Sequence, residues 1–361
     1  QLEDGRFTLF RQKGILSGSD TIQLEDGTEL NAEKILISTG SGIKTPDLPG
    51  LSEAPFKTSD DVLNLDALPE ECVVLGGGIV ACELAQFLAR VGCRVTQLQR
   101  NIQVLKEFSP DAGAVVGHAL RGSGIDLQTN TTLRSIDSLG GDRVRVNYER
   151  EGSSCSIETN FLFHALGRSP TTKSLGLEEC GIELLNSGHI ATNAYQQTCV
   201  DHIYAAGDCA GPHEIVHIAI KQGETAAKHM FGQKVEPIHY DYLLGVVFTD
   251  PQVARVGLSL IQIRERGIDP VSASFPFDDH GKSILMEAKY GYVTVHADRS
   301  NGMILGAECV AKDAGELIHA LSVAVALRAT VYDLLKADWY HPTLSEIWTY
   351  PLEDIAEEIA G

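Results

Sequence analysis

Close cysteine pairs are missing from this sequence. Its eight cysteines (Cys72, Cys82, Cys93, Cys155, Cys180, Cys199, Cys209 and Cys309) are scattered, with no C-x-x-C among them. The spacing argues against a small secreted disulfide framework and offers no metal site. Several lie inside apolar strand or helix patterns, where a free cysteine behaves as a small buried hydrophobe, and the scatter suits a reducing cytoplasm. Positive charge is scarce too: 29 Lys and Arg stand against 49 Asp and Glu, a formal net charge of −20. That excess repels phosphate backbones and anionic lipid heads, and no basic run offsets it, so nucleic acid and membrane are not expected partners. Long apolar runs are also lacking. The longest uncharged candidate, near Ala320–Leu327, falls far short of the roughly 20 residues of a spanning helix. Low-complexity segments and short-period repeats are absent. The chain starts at Gln1, without Met or a signal-like segment, and this start reads as a cut in a longer protein.

What is present is ordinary globular composition, 43% hydrophobic over 361 residues, enough for two or three domains. The run Ile35–Ile37 reads as a buried strand delivering a small-residue loop. A Pro-rich connection follows (Pro46, Pro49, Pro55, Pro69), a plausible boundary. Cys72–Leu75 reads as a strand, then three glycines, then a helical run Val80–Val91 stopped by Gly92, then a strand Cys93–Leu98. Strand, Gly-rich turn, helix and strand make a βαβ unit, which predicts a parallel sheet. Alternating residues over Arg143–Cys155 predict antiparallel strands. Asn160–Leu166 and His202–Ala206 read as buried strands, the second ending in Gly207-Asp208. After Pro237, antiparallel strands are expected at Val246–Phe248, Tyr292–His296 and Met303–Cys309, with one apolar helix over Ala314–Ala326.

Within the βαβ unit, Gly76, Gly78 and Ala81 form G-x-G-x-x-A. Gly76 permits the strand-to-helix turn, Gly78 lets the backbone approach a pyrophosphate, and Ala81 allows close helix–strand packing, with phosphate charge at the helix N-terminus. The end of the second strand selects the nucleotide. An NAD site usually has an acid there to hold the ribose 2′-hydroxyl. Here Gln99-Arg100-Asn101 stands instead, with Lys106 a short loop later. Arg100 and Lys106 favour NADP over NAD; two solvated surface cations is the plain alternative.

Five segments in this order, ISTGS (Ile37–Ser41), GGGIVACE (Gly76–Glu83), ALGRSP (Ala165–Pro170), YAAGD (Tyr204–Asp208) and HPTLSE (His341–Glu346), resemble the pyridine nucleotide–disulfide oxidoreductases. That is the family of dihydrolipoamide dehydrogenase, glutathione reductase and mercuric reductase. FTDPQVARVGL, Phe248–Leu258, is similar to the start of that family's dimer domain. The resemblance implies an α/β fold: an FAD domain with an inserted NAD(P)-binding Rossmann-like domain, followed by an α+β dimerisation domain. The segments would be 1–67 and 171–236 for FAD, 68–170 for NAD(P) and 237–361 for dimerisation.

The resemblance also implies roles. Thr39 and Gly40 match the loop beside FAD. Asp208, after Gly207, matches the carboxylate that binds the flavin ribitol. His217 matches the start of a helix facing the flavin, where the dipole would stabilise negative charge; packing is its plainer role. Glu83 matches an acid paired with a lysine that would precede Gln1, and without that lysine its plain reading is a solvated helix residue. His341 and Glu346 match the catalytic acid–base pair: an imidazole exchanges a thiol proton near neutral pH, and the carboxylate fixes its tautomer. An aromatic gate over the nicotinamide is replaced by Ile79. The family's first FAD-binding βαβ and its C-x-x-x-x-C pair would precede Gln1, so the chain alone is expected to be inactive. The expected activity is FAD-dependent, NAD(P)H-linked electron transfer to a small-molecule disulfide or dithiol by a cytoplasmic homodimer, dihydrolipoamide dehydrogenase-like. The alternatives are a mercuric-reductase-like or other small-disulfide reductase, and a catalytically silent nucleotide-binding dimerisation fragment. Relatives acting on mercury typically lack HPT and carry a C-terminal cysteine pair, and no cysteine follows Cys309.

Overall fold

In the computed structural model, which describes residues 5–62 and 64–361, the chain forms two units. Gln1, read above as a cut, lies outside the described residues. One unit joins the chain up to Lys44 with Arg168–His239; the other joins Thr45–Gly167 with Tyr240–Gly361.

In the first unit the apolar run Ile35–Ile37 is a strand, paired in parallel with Ile203–Ala205. Ile35, Ile37, Ile203 and Ala205 are buried with Leu16, Ile182 and Ile190 in one core. Both strands end in loops that carry polar side chains, Ser38–Ser41 and Gly207–Asp208. An antiparallel pair, Ser41–Ile43 with Arg168–Pro170, closes one of these loops. The helix Val216–Met230 buries Ile218, Gln222, Thr225 and Ala226. A three-stranded antiparallel sheet over Gly14–Leu16, Thr21–Leu24 and Glu29–Asn31 was not legible in the sequence; its strands are only three or four residues long, too short to show a period.

In the second unit a five-stranded parallel sheet runs in the order Phe56–Lys57, Leu162–His164, Glu71–Leu75, Arg94–Leu98, Asp126–Gln128. Phe56, on the edge strand of this sheet, pairs with Leu162 and sets its ring edge-on 4.9 Å from His164. The helix after the glycines is Ile79–Arg90, and Gly92 ends it at φ 107°. An antiparallel meander (Thr131–Gly140, Arg143–Arg150, Ser153–Thr159) turns Val144, Val146 and Tyr148 onto the sheet residues Val73, Leu75 and Leu98.

The remainder of this unit is an antiparallel sheet in the order Leu244–Val247, Gln252–Gly257, Ile304–Ala311, Tyr292–Asp298, Pro270–Pro276. The expected single helix over Ala314–Ala326 is two, Ala314–Leu317 and His319–Ala326. The break falls at Ile318, whose side chain is fully buried in the core with Leu321 and Trp348, so packing overrides a straight run.

This sheet also holds an acid-sensitive pair. Ser272 lies opposite His296, with Oγ 2.8 Å from Nδ1. Burial, helped by the Arg264 charge, pushes the His296 imidazole down to about 4. In the unfolded chain it titrates near 6.5, so between those values the unfolded state binds the extra proton. Stability is therefore complete above pH 6.5 and is lost as pH falls toward 4, by about 2–3 kcal/mol. Thermal melts from pH 7.5 to 4.5 should show this loss, and His296→Gln should flatten the slope; an unchanged slope in the variant would refute the assignment.

Candidate active site

At the glycine turn each residue answers a different steric demand. Gly76 sits at φ 120°, and a Cβ there would lie 2.4 Å from the Ala165 carbonyl oxygen. A Cβ on Gly77 would collide with the Gln99 side chain at 2.6 Å. Gly78, the extended N-cap residue of Ile79–Arg90, meets nothing within 4 Å on its Cβ side, and no side chain caps the helix. Its first turn carries no acid, so the positive end of the helix dipole stays available to an anion. Ala81 is fully buried, as close helix–strand packing requires. This turn fits a dinucleotide pyrophosphate.

The loop after the second strand is tied to the same turn: Leu105, in the left-handed region at φ 51°, donates its N–H to the Gly77 carbonyl at 2.8 Å. Arg100 and Lys106 are exposed on this loop, and among the described residues neither enters an ion pair. Glu83 is not solvated. It is half-buried, burial raises its pKa, and its Oε1 accepts the Phe248 N–H at 2.7 Å. One turn on, Gln86 exchanges two hydrogen bonds with the Asp250 backbone at 2.7 and 2.9 Å, and Arg90 pairs with the Asp250 carboxylate at 2.6 Å. The Phe248–Leu258 signature thus docks on the nucleotide helix. Gln86 was missed because one amide in an apolar helix carries no signal of its partner.

The first unit brings its candidate residues together through a short polar chain. Arg168 donates from Nε to Ser41 Oγ and from Nη2 to the Ser41 carbonyl, both at 2.7 Å, and Ser41 Oγ donates to Asp208 Oδ2 at 2.7 Å. Thr39 donates to the Thr171 carbonyl at 2.6 Å, and Gly40 stands at φ 69° with open space on its Cβ side. Gln222, fully buried, accepts the Gly207 N–H and donates to the Gly211 carbonyl, both at 2.7 Å, fixing the turn that presents Asp208. His217 is exposed in the first turn of Val216–Met230 and does not pack in the core. Arg168 lay inside the ALGRSP segment and Gln222 in the helix that starts near His217, yet only the fold reveals their partners. Asp208 spends Oδ2 on Ser41, so a ligand hydroxyl would find Oδ1; the group of residues fits a polyol-bearing cofactor.

The imidazole–carboxylate pair is formed. His341 Nδ1 lies 2.8 Å from Glu346 Oε2, with the His341 side chain 82% exposed and Glu346 buried. With Nδ1 engaged, Nε2 is the nitrogen left to face a reactant. The Glu346 N–H bonds Thr343 Oγ1 at 3.3 Å and Thr349 Oγ1 donates to the Glu346 carbonyl at 2.7 Å. Just beyond, Trp348 is fully buried and donates Nε1–H to the Leu317 carbonyl at 3.1 Å, anchoring the segment. A second histidine, His280, reaches the same carboxylate: its Nε2 lies 3.4 Å from Glu346 Oε1. Its role carries no sequence signal, since a lone histidine in a loop has no characteristic spacing. The eight cysteines are all unpaired. Burial pushes the thiols of Cys72 and Cys309 up, and that of Cys82 up to about 12, so they are packing groups and not nucleophiles.

A glycine turn that fits a pyrophosphate, a second polar group that fits a polyol, and an antiparallel sheet in the same unit as the turn, with a His–Glu pair beside it, are the features of a nucleotide-linked oxidoreductase scaffold. The chain belongs to the pyridine nucleotide-disulphide oxidoreductases. That family's model matches residues 1–223, and the model of its dimerisation domain matches 244–351. The chain is 31% identical over 345 residues to the mercuric reductase of Bacillus cereus, covering 96% of this chain and 54% of that protein. It is 30% identical over 351 residues to the dihydrolipoyl dehydrogenase of Chlamydia muridarum, covering 96% of this chain and 74% of that one. Among solved structures it is similar to LpdA from Mycobacterium tuberculosis (TM-score 0.84, 28% identity, 96% of this chain and 76% of that chain). It is also similar to the HOCl-induced flavoprotein disulfide reductase RclA from Escherichia coli (TM-score 0.84, 25% identity, 95% and 78%). The chain spans between half and two thirds of the mercuric reductases it matches. The family implies FAD and a pyridine nucleotide. No helix among the described residues is long and apolar enough to cross a membrane.

Proposed function

We propose that this chain is the nucleotide-binding and acid–base part of an NADPH-linked, FAD-dependent disulfide oxidoreductase, dihydrolipoamide dehydrogenase-like, working as a homodimer on a small-molecule disulfide or dithiol. The observation that carries the reading is His341 Nδ1 held 2.8 Å from a buried carboxylate with the ring otherwise exposed. Glu346 keeps the proton on Nδ1 in the neutral ring and stabilises the imidazolium, so Nε2 can take a proton from a thiol and return it to a departing thiolate.

When bound, FAD and the nicotinamide supply hydride and electron transfer. Thr39, Gly40, Gly207, Asp208 and the first turn at His217 would hold FAD, with Asp208 on the ribitol. Gly76, Gly78 and Ala81 would hold the nucleotide pyrophosphate, and Glu83 keeps their helix seated on the Phe248 loop. Arg100 and Lys106, cations without an ion pair among the described residues, favour a 2′-phosphate. Eight unpaired thiols suit a reducing compartment such as the cytoplasm. The HPTLSE pair favours dithiol chemistry over mercury.

The test is subunit complementation in a polypeptide that also carries the family's cysteine pair. A subunit with His341→Ala is combined with one lacking the cysteines. Hybrid dimers should regain one working site, because one interface then holds intact cysteines opposite an intact His341. Verified hybrids that remain dead, while the unmutated homodimer is active, would refute the shared site.

A further inference from the structure

Glu346 is shared by two imidazoles. Oε2 lies 2.8 Å from His341 Nδ1, and Oε1 lies 3.4 Å from His280 Nε2. His280 is 1% exposed, and its Nδ1 lies 2.7 Å from Oγ of Ser283, which is fully buried. Several contacts hold this ring in place. His280 links the short turn Phe277–Asp279 to the helix Gly281–Leu285, and Phe277 is buried at 1%. The edge of its ring meets Tyr350 at 6.2 Å, and Tyr350 in turn stacks on Phe275 at 3.9 Å. Nε2 makes no hydrogen bond among the described residues, and a buried ring N–H is costly to leave unmade. The acceptor beside it is Glu346 Oε1.

The chemistry of the partners selects the tautomer. A hydroxyl that donates to Nδ1 leaves the proton of a neutral ring on Nε2, the nitrogen facing the carboxylate. From this we propose that His280 is a positioning residue for the His341–Glu346 pair: its Nε2–H holds Glu346 with Oε2 on His341 and sets the pH at which His341 changes protonation. It rests on the reading of His341 as the acid–base. Oε1 already accepts the Thr343 N–H at 3.4 Å, and a carboxylate that serves a further donor is a weaker base toward His341, so it stabilises the His341 imidazolium less. His341, Glu346, His280 and Tyr350 are the ionisable groups in contact with one another. On the segments packed around them, Asp278, Asp279, Glu353 and Asp354 are exposed and Lys282 is half-exposed.

The experiment uses the 361-residue chain with nitrogen-15-labelled histidine, read by NMR across pH without turnover. His280 should carry its proton on Nε2 at neutral pH, with Nδ1 unprotonated. His280→Phe, which keeps the volume but removes the donor, should raise the His341 titration midpoint by about half a pH unit or more. His280→Gln should restore a midpoint near that of the parent, since its amide can accept from Ser283 and donate to Oε1. Ser283→Ala, a change small enough to fold if His280→Phe does not, should shift the midpoint upward by less and mix the His280 tautomers. A proton found on Nδ1 of His280 would overturn the proposal, as would a His341 midpoint unmoved in both His280→Phe and Ser283→Ala. Because these readouts need no reaction, they stand even if His341→Ala proves catalytically harmless, and that result would count only against the acid–base reading.

Discussion

Turnover of the disulfide or dithiol substrate should fall about 10²- to 10⁴-fold in His341→Ala, measured in a polypeptide that also carries the cysteine pair. The loss should fall on one half of the cycle. His341 moves protons on and off sulfur, so steady-state rates with substrate drop, while the rate at which NADPH reduces the bound flavin in stopped-flow absorbance stays near that of the parent. The contrast follows from the fold, because the nucleotide turn at Gly76–Gly78 and the His341–Glu346 segment are held by separate elements. Glu346→Gln should lose less, since an amide oxygen can still accept from Nδ1 but no longer stabilises the imidazolium. A His341→Ala protein with undiminished substrate turnover would remove the acid–base assignment.

Arg100→Glu should weaken NADPH by on the order of tenfold or more relative to NADH, because one charge-assisted contact to a 2′-phosphate contributes about 1.5–3 kcal/mol. The measurement is a pair of equilibrium titrations of this chain with the two nucleotides at fixed ionic strength. Lys106→Glu should act in the same direction. Its loop is fixed to the glycine turn by the Leu105 N–H on the Gly77 carbonyl, so the change alters charge and leaves the βαβ unit intact. Equal losses for NADPH and NADH would show that Arg100 does not read the phosphate.

Local motifs carried the parts of the molecule whose geometry is short-range. The strand–glycine–helix unit was legible because Gly76 must stand at positive φ against the Ala165 carbonyl, and no other residue type meets that demand cheaply. The His341–Glu346 pair was legible because the two residues are five apart on one segment, close enough for local backbone to bring them together. The helix His319–Ala326 and the strands around it followed from apolar periodicity, although the break at Ile318 did not, since that residue answers to the core across from it and not to its sequence neighbours.

The amino-acid sequence by itself determined the groups available: a glycine turn between a strand and a helix, a loop carrying Arg100 and Lys106 after the next strand, an acid at a strand end and an imidazole–carboxylate pair. The tertiary structure decided how each group is held. Asp208 depends on Ser41, 167 positions away, and Ser41 on Arg168, 127 positions away. Glu83 is tied to Phe248, 165 positions on, and His280 closes on Glu346 from a different segment. Such partners share no periodicity and no spacing. Only chain folding, driven by burial of the cores beneath them, brings them within hydrogen-bonding or ion-pairing distance, and there burial makes each partner's charge and proton count.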